Sequence, residues 1–255
     1  MQNKEKQKKR KGKNAPLERP QSLKEVTVKH IWHYLWKETS WHSFIVFFIF
    51  SIVIIKFLIF PTIGLITGAE NPLVAIITGS MEHKISNHKI CGFYVADSEN
   101  KRLSLQGYWE LCGTYYEENF NITYEQFKGF TYSNGLNIGD ILLLTGADPE
   151  RIRVGDTLVF IPQDKIDGQS QFFSRFGPVI HRVIAITDCR NTVSKECAGR
   201  SGLYFHTKGD HNAISRVGFE TYIPEEDLLG VPLLRIPYVG YPKILLAKAY
   251  FALRG

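Results

Sequence analysis

From Trp41 to about Ile66 the chain runs Trp-His-Ser-Phe-Ile-Val-Phe-Phe-Ile-Phe-Ser-Ile-Val-Ile-Ile-Lys-Phe-Leu-Ile-Phe-Pro-Thr-Ile-Gly-Leu-Ile, and no other stretch constrains the fold as much. It exceeds the ~20 apolar residues that an α-helix needs to cross the hydrocarbon core of a bilayer. A cleaved leader fits poorly, because the run starts too far into the chain and its apolar core is too long. Residues 41–66 therefore read as one transmembrane helix. Residues 1–40 ahead of it hold 11 of the 31 Lys and Arg but only 4 of the 25 Asp and Glu. The rest of the chain is close to neutral, with 20 basic against 21 acidic residues. A basic block can suggest nucleic acid, but one placed directly before a span is a topology determinant that also touches anionic lipid, so no nucleic-acid partner is expected. The expected topology is a single pass through the cell membrane. The tail of 1–40 would be cytoplasmic, with 1–20 disordered, and 67–255 would be outside. Trp32, Trp36 and Trp41 would form an interfacial belt. Lys56 would cost about 2.5–3.5 kcal/mol at mid-membrane, so either it reaches for the outer face or the span ends near Ile55. Pro61 is expected to kink or end the helix.

Beyond the span, short apolar runs alternate with turn signals, which argues for a mainly β domain, a small antiparallel barrel or sandwich. The runs are Leu73–Ile77, Asp140–Thr145, Val154–Pro162, Pro178–Ile186 and Leu203–Asn212. Residues 83–138 are less regular, aromatic and polar, and look like an insertion. They contain a glycosylation sequon, Asn121-Ile122-Thr123, which matters only if topology places it outside. The end of the chain, 241–254, is too short and too charged to span and suits an amphipathic helix on the domain or the membrane surface. Cys91, Cys112, Cys189 and Cys197 fit an oxidising exterior. Four cysteines allow three pairings, among which sequence does not choose. Their spacing does not match paired zinc ligands, so no metal is expected.

Three residues carry candidate chemistry. Ser80 follows the Leu73–Ile77 strand in a Thr78-Gly79-Ser80 turn, where a serine hydroxyl can be held rigid and exposed as a nucleophile. His181 lies in the apolar run Val179-Ile180-His181-Arg182-Val183 and has the neutral pKa a general base needs. Asp210 sits in Lys208-Gly209-Asp210. Gly-Asp is usually an ordinary turn, as Asp140 and Asp156, each preceded by glycine, illustrate.

The order of these pieces resembles a known family. Thr78-Gly-Ser-Met-Glu82, Gly139-Asp-Ile-Leu-Leu143, Val154-Gly-Asp-Thr-Leu-Val-Phe160, His181-Arg-Val-Ile184 and Thr207-Lys-Gly-Asp-His-Asn212 follow one N-terminal span, as in type I signal peptidases of the archaeal and endoplasmic-reticulum branch. The bacterial branch has lysine where this chain has His181. The resemblance covers roughly Trp41 to Tyr241 apart from 83–138. It implies a membrane-bound serine endopeptidase without cofactor, acting on secretory preproteins that carry small residues at −1 and −3. Ser80 would be the nucleophile, His181 the base, and Asp210 the acid that orients it or braces the site from behind. Thr78 and the Ser80 N–H would form the oxyanion hole. The substrate would add as a strand along Leu73–Ile77, with Ile76, Ile77 and Met81 as binding residues. Only a dozen or so residues separate the span from Ser80, so the active site would lie near the outer membrane surface. The favoured disulfides are Cys91–Cys112, stapling the insertion, and Cys189–Cys197, stapling a hairpin loop.

The chain departs from the pattern in three places. His83 replaces the proline that usually follows Met-Glu, and His211 replaces an asparagine. Ser215 and Arg216 occupy the positions of the usual second aspartate. That leaves three readings of the acid: Asp210 alone, a Ser/His dyad, or a carboxylate such as Asp227 moving in. It also leaves two alternatives to a general peptidase: a catalytically inactive membrane-anchored interaction module using the insertion as its surface, or an enzyme restricted to a few precursors by that insertion.

Overall fold

The computed structural model describes residues 32–33, 40–96, 100–162, 177–190, 197, 199–218, 220–242 and 244–245. The expected tail at 1–31 and most of the expected C-terminal helix, including 246–255, lie outside the described residues. The chain divides into two compact units, Met1–Ile59 and Phe60–Gly255.

Helical residues run from Trp41 to Thr67, 27 residues with a mean hydropathy of 2.8, long and apolar enough to cross a bilayer. The run comprises α1 (Trp41–Ile54), a π-helical segment (Ile55–Ile59) and α2 (Phe60–Thr67). Phe44, Ile49, Phe57 and Leu58 are all exposed, as suits a helix whose solvent is lipid. Helix continues past Pro61, so the expected stop does not occur there. A proline ring crowds the carbonyl four residues back, here that of Phe57, and the widened π turn just before Pro61 gives that carbonyl room. Lys56 lies in this widened segment, with its Nζ 5.5 Å from the centroid of the Phe57 ring.

The second unit is mainly β. Its strands are β1 (Leu73–Ala75), β2 (Lys89–Ile90), β3 (Phe93–Tyr94), β4 (Ile141–Thr145), β5 (Thr157–Phe160), β6 (Val179–Asp188), β7 (Leu203–Lys208), β8 (Ile223–Pro224) and β9 (Leu228–Ile236). Seven of them form one antiparallel sheet in the order β1-β4-β9-β5-β6-β7-β8, which curls into a half-barrel. β1 is shorter than the expected Leu73–Ile77 and forms one edge, paired only with β4. β2 and β3 make a separate hairpin. Two features of β6 position the site. Leu158 of β5 stands opposite His181, and Thr157 opposite Arg182, so these neighbours project to opposite faces. A register shift at Ile184 then adds a bulge against β7.

The 83–138 segment is more ordered than its sequence suggests. It contains α3 (Leu105–Phe120) and α4 (Tyr124–Lys128). Ser104 caps α3 by accepting the Gly107 N–H at 3.1 Å, and Thr123 caps α4 in a reciprocal box with Gln126. Tyr108, Cys112 and Tyr116, spaced by one helical turn, are buried, and with Phe127, Ile90 and Ile184 of β6 they form one continuous core. The insertion is thus packed into the domain. Cys91 and Cys112 are disulfide-bonded, as are Cys189 and Cys197.

Candidate active site

The turn after β1 is held from several sides. Ile76 prolongs the pairing of β1: its N–H donates to the Asp140 carbonyl at 2.8 Å, and its carbonyl accepts the Gly139 N–H at 2.9 Å. The Ser80 carbonyl accepts the His211 N–H, and the Met81 carbonyl the Leu136 N–H, both at 2.8 Å. The Glu82 carboxylate accepts the Ile138 N–H at 2.9 Å. Ser80 is half-buried and Thr78 exposed in a turn that cannot drift. Among the described residues, neither the Ser80 N–H nor the Thr78 hydroxyl makes a hydrogen bond, so both can serve a ligand. Asp140 supports this edge from below, with an Oδ2 that lies 2.7 Å from Arg235 Nε and accepts the Asn137 N–H at 2.8 Å.

His181 is 3% exposed. A Cβ placed on Gly209 would come within 2.8 Å of both His181 Nε2 and the Ser80 carbonyl oxygen, so the imidazole and the Ser80 backbone meet at a position where no side chain fits. On its other side, His181 Nδ1 lies 2.7 Å from Glu220 Oε1. Glu220 is fully buried. Its carboxylate also accepts the Gly209 N–H at 3.4 Å, the Asn212 amide at 3.3 Å and the Arg216 N–H. Burial would raise the Glu220 pKa, but the contact with His181 and these N–H donors hold it below the ordinary carboxylate value.

These groups open into a cleft of about 300 Å³. Thr78, Ser80, Ile76, Ile77, Met81 and His181, six of the seven residues singled out in the sequence, line it.

Asp210 is the seventh, and it does not reach His181. It lies behind the site, fully buried, bound by the Arg182 guanidinium through Nε to Oδ1 at 2.9 Å and Nη2 to Oδ2 at 2.7 Å. His83 Nε2 lies 2.9 Å from Oδ2, and the Tyr116 hydroxyl donates to Oδ1 at 3.2 Å. Arg182 also donates to the carbonyls of Thr131, Gly155 and Tyr132, and its guanidinium stacks 4.8 Å from the centroid of Phe127. Burial would raise the Asp210 pKa, but Arg182 and His83 hold it far below the carboxylate range. Burial pushes the His83 pKa below its ordinary value, against the pull of Asp210, and pushes the neighbouring Lys208 down to about 8. The reason for the arrangement is strand geometry. Arg182 faces the insertion, and the aspartate of the Gly-Asp turn goes with it.

Glu220 is the residue the sequence did not announce. Position 215 carries a serine whose hydroxyl donates to the Thr207 carbonyl at 2.7 Å, and position 216 contributes a backbone N–H to Glu220. Asp227 lies on the 3₁₀ turn Glu225–Asp227 that leads into β9, while the carboxylate at His181 is that of Glu220.

No family model matches the chain. Known proteins do. The chain is similar to signal peptidase catalytic subunits. It is 29% identical over 112 residues to the signal peptidase complex catalytic subunit SEC11C of Homo sapiens, covering 42% of this chain and 48% of that protein. To the subunits SEC11 of Clavispora lusitaniae and Debaryomyces hansenii it is 31% and 32% identical over 115 residues, covering 43% of this chain and 57% of each relative. The chain thus spans about half the length of the curated relatives it matches.

Proposed function

We propose that this chain is a membrane-anchored serine endopeptidase that removes signal peptides, with Ser80, His181 and Glu220 as its working residues. One observation carries the reading: a single buried imidazole whose Nε2 faces the Ser80 turn across Gly209 and whose Nδ1 lies 2.7 Å from a buried carboxylate. A Glu220 carboxylate at Nδ1 favours the tautomer with the proton there, which makes Nε2 the proton-accepting nitrogen. Nε2 takes the Ser80 Oγ proton as Oγ attacks the scissile carbonyl carbon. The resulting oxyanion is met by the Ser80 N–H and the Thr78 hydroxyl, and one such donor is typically worth about 2.7–4 kcal/mol. Collapse breaks the C–N bond, and the imidazolium returns its proton to the leaving amine. Water, activated by the same nitrogen, then hydrolyses the acyl-enzyme. Glu220 stabilises the imidazolium without taking up its proton.

The similarity to signal peptidase subunits supports a secretory precursor as substrate, with small residues at −1 and −3. β1 offers a sheet edge for an extended chain, and Ile76, Ile77 and Met81 lie in the cleft beside it. The apolar helix supports a membrane anchor, with the basic tail on the cytoplasmic side and the site outside. The inactive-module reading drew on the missing second aspartate, and Glu220 removes that ground. The insertion buries Tyr108, Tyr116 and Phe127 in the domain core, which counts against these aromatics as a ligand surface, while Phe93 and Tyr94 stay exposed.

The test is cleavage of a membrane-inserted model precursor by the full-length protein and its Ser80→Ala and His181→Ala variants. Wild type should cut after a small −1 residue, and each variant should lose at least about 10⁴-fold in kcat with its fold intact. Equal inertness of wild type and Ser80→Ala on several precursors would overturn the assignment.

A further inference from the structure

The loop from Gly209 to Glu220 carries two charged residues with opposite surroundings. Glu220 is buried, its oxygens occupied by His181, two backbone N–H groups and the Asn212 amide. Arg216 serves that carboxylate only through its backbone. Its side chain is exposed and, among the described residues, makes no ion pair or hydrogen bond. Yet Arg216 stands in the wall of the cleft next to Asn212 and His181. Much of the rest of the lining is apolar, with Ala75, Ile76, Ile77, Val179 and Ile180. No carboxylate lines the cleft, so Arg216 is its one permanent charge among the described residues.

A guanidinium offers a planar fork of donors matched to a carboxylate, and apolar walls strengthen such a pair relative to open water. With no partner for its side chain among the described residues, Arg216 is placed to find one on whatever peptide occupies the cleft. We infer that Arg216 is a specificity-determining residue that reads an acidic side chain of the substrate within a few residues of the scissile bond. The inference rests on the peptidase reading and narrows it to precursors with aspartate or glutamate at that point. Ile214 and Val217, exposed on either side of Arg216, suggest a rival in which the same guanidinium meets a lipid phosphate. The cleft position favours the peptide.

The experiment uses full-length protein in vesicles and a set of precursors identical except for Asp, Asn or Lys at one position, scanned over the residues flanking the cut. Wild type should favour Asp over Asn by about fivefold in kcat/KM at the position read, with the ratio shrinking as salt rises. Arg216→Gln should bring the ratio to about one, and Arg216→Glu should turn it toward Lys, as a charge pair requires. Cleavage with the same ratio in wild type and Arg216→Gln would overturn the inference and leave the peptidase reading standing. If wild type cuts nothing, the peptidase reading fails instead, and binding of the same peptides to Ser80→Ala, read by anisotropy, decides the matter. Equal affinity for Asp and Asn peptides there overturns the inference as well. An effect of Arg216→Gln that follows the anionic lipid content of the vesicles, and not the peptide charge, would assign the guanidinium to the lipid and reject the peptide.

Discussion

His181 and Arg182 are neighbours on β6, both buried, and each has a carboxylate from the same loop, yet the two pairs do different things. His181 faces the cleft and has Glu220. Arg182 faces the insertion and has Asp210, in a closed network with His83, Tyr116 and Lys208. Strand alternation separates them, so residues adjacent in sequence enter different chemical compartments. The lesson is that the carboxylate in the recognisable Gly-Asp motif secures the loop. The one beside the His181 imidazole arrives from a plain turn ten residues later.

Exchanging the two acids for their amides is the sharpest way to break this comparison. Glu220→Gln should lower kcat by about 10²–10⁴-fold, since it removes the charge behind the imidazolium. Asp210→Asn should act chiefly on stability, costing about 3–5 kcal/mol, because it leaves Arg182 buried without its counter-charge. Activity assays paired with denaturant melts check both, and a larger melting loss in Glu220→Gln than in Asp210→Asn would reverse the roles. Gly209→Ala tests the seam between the two compartments. Its Cβ would press on His181 Nε2, the Ser80 carbonyl and the Asn212 amide, and a displacement of about 1 Å should cost on the order of 100-fold in kcat.

The two disulfides sharpen the comparison further. Cys91–Cys112 closes the longer loop, with a sequence separation of 21, and its removal should cost about 3 kcal/mol. It should also slow catalysis, because the Cys91 N–H donates to the His211 carbonyl at 3.0 Å, and His211 in turn holds Ser80. Cys189–Cys197, with a separation of 8, should cost about 2.5 kcal/mol and leave the rate on a model precursor unchanged. The smallest effect is in acid. Burial lowers the His83 pKa, so as pH falls below about 6.5 the unfolded chain takes up a proton that the folded state refuses, and stability drops until the folded value is passed. Asp210 and Glu220, both held low, add stability that is present above about pH 4.5 and is lost as pH falls through their folded values. Melting temperature against pH should therefore decline in two stages, and His83→Gln should shrink the upper one, leaving the part due to His211, whose pKa burial also lowers.

Local features were legible in the sequence. Strands β1, β4, β5, β6 and β7, the serine that follows β1 and the histidine within β6 follow from apolar runs and the residues that punctuate them, whereas β2, β3, β8 and β9 do not. Glu220 was not legible, because its nearness to His181 depends on how the loop folds back. The Thr207 N–H donates to the Glu220 carbonyl at 2.7 Å, and no local pattern encodes that closure. The α3 helix hid for a different reason. Its buried stripe is Tyr108, Cys112 and Tyr116, residues with polar tips or sulfur, so the helical period is not written in leucine and valine. Pro61 misled because a single widened turn is enough to absorb it.

The backbone bonds that join Cys91 to His211 and His211 to Ser80 have a consequence for how the protein comes into being. They unite chain segments far apart in sequence, and ordering them means closing long loops before any contact repays the entropy. Glu220 reaches His181 by another such closure, and Arg182 must already have found Asp210 behind it. Ser80, His181 and Glu220 therefore have no local precursor: no short fragment of the chain holds serine, imidazole and carboxylate together. Any chemistry at this cleft therefore waits until the whole domain has closed.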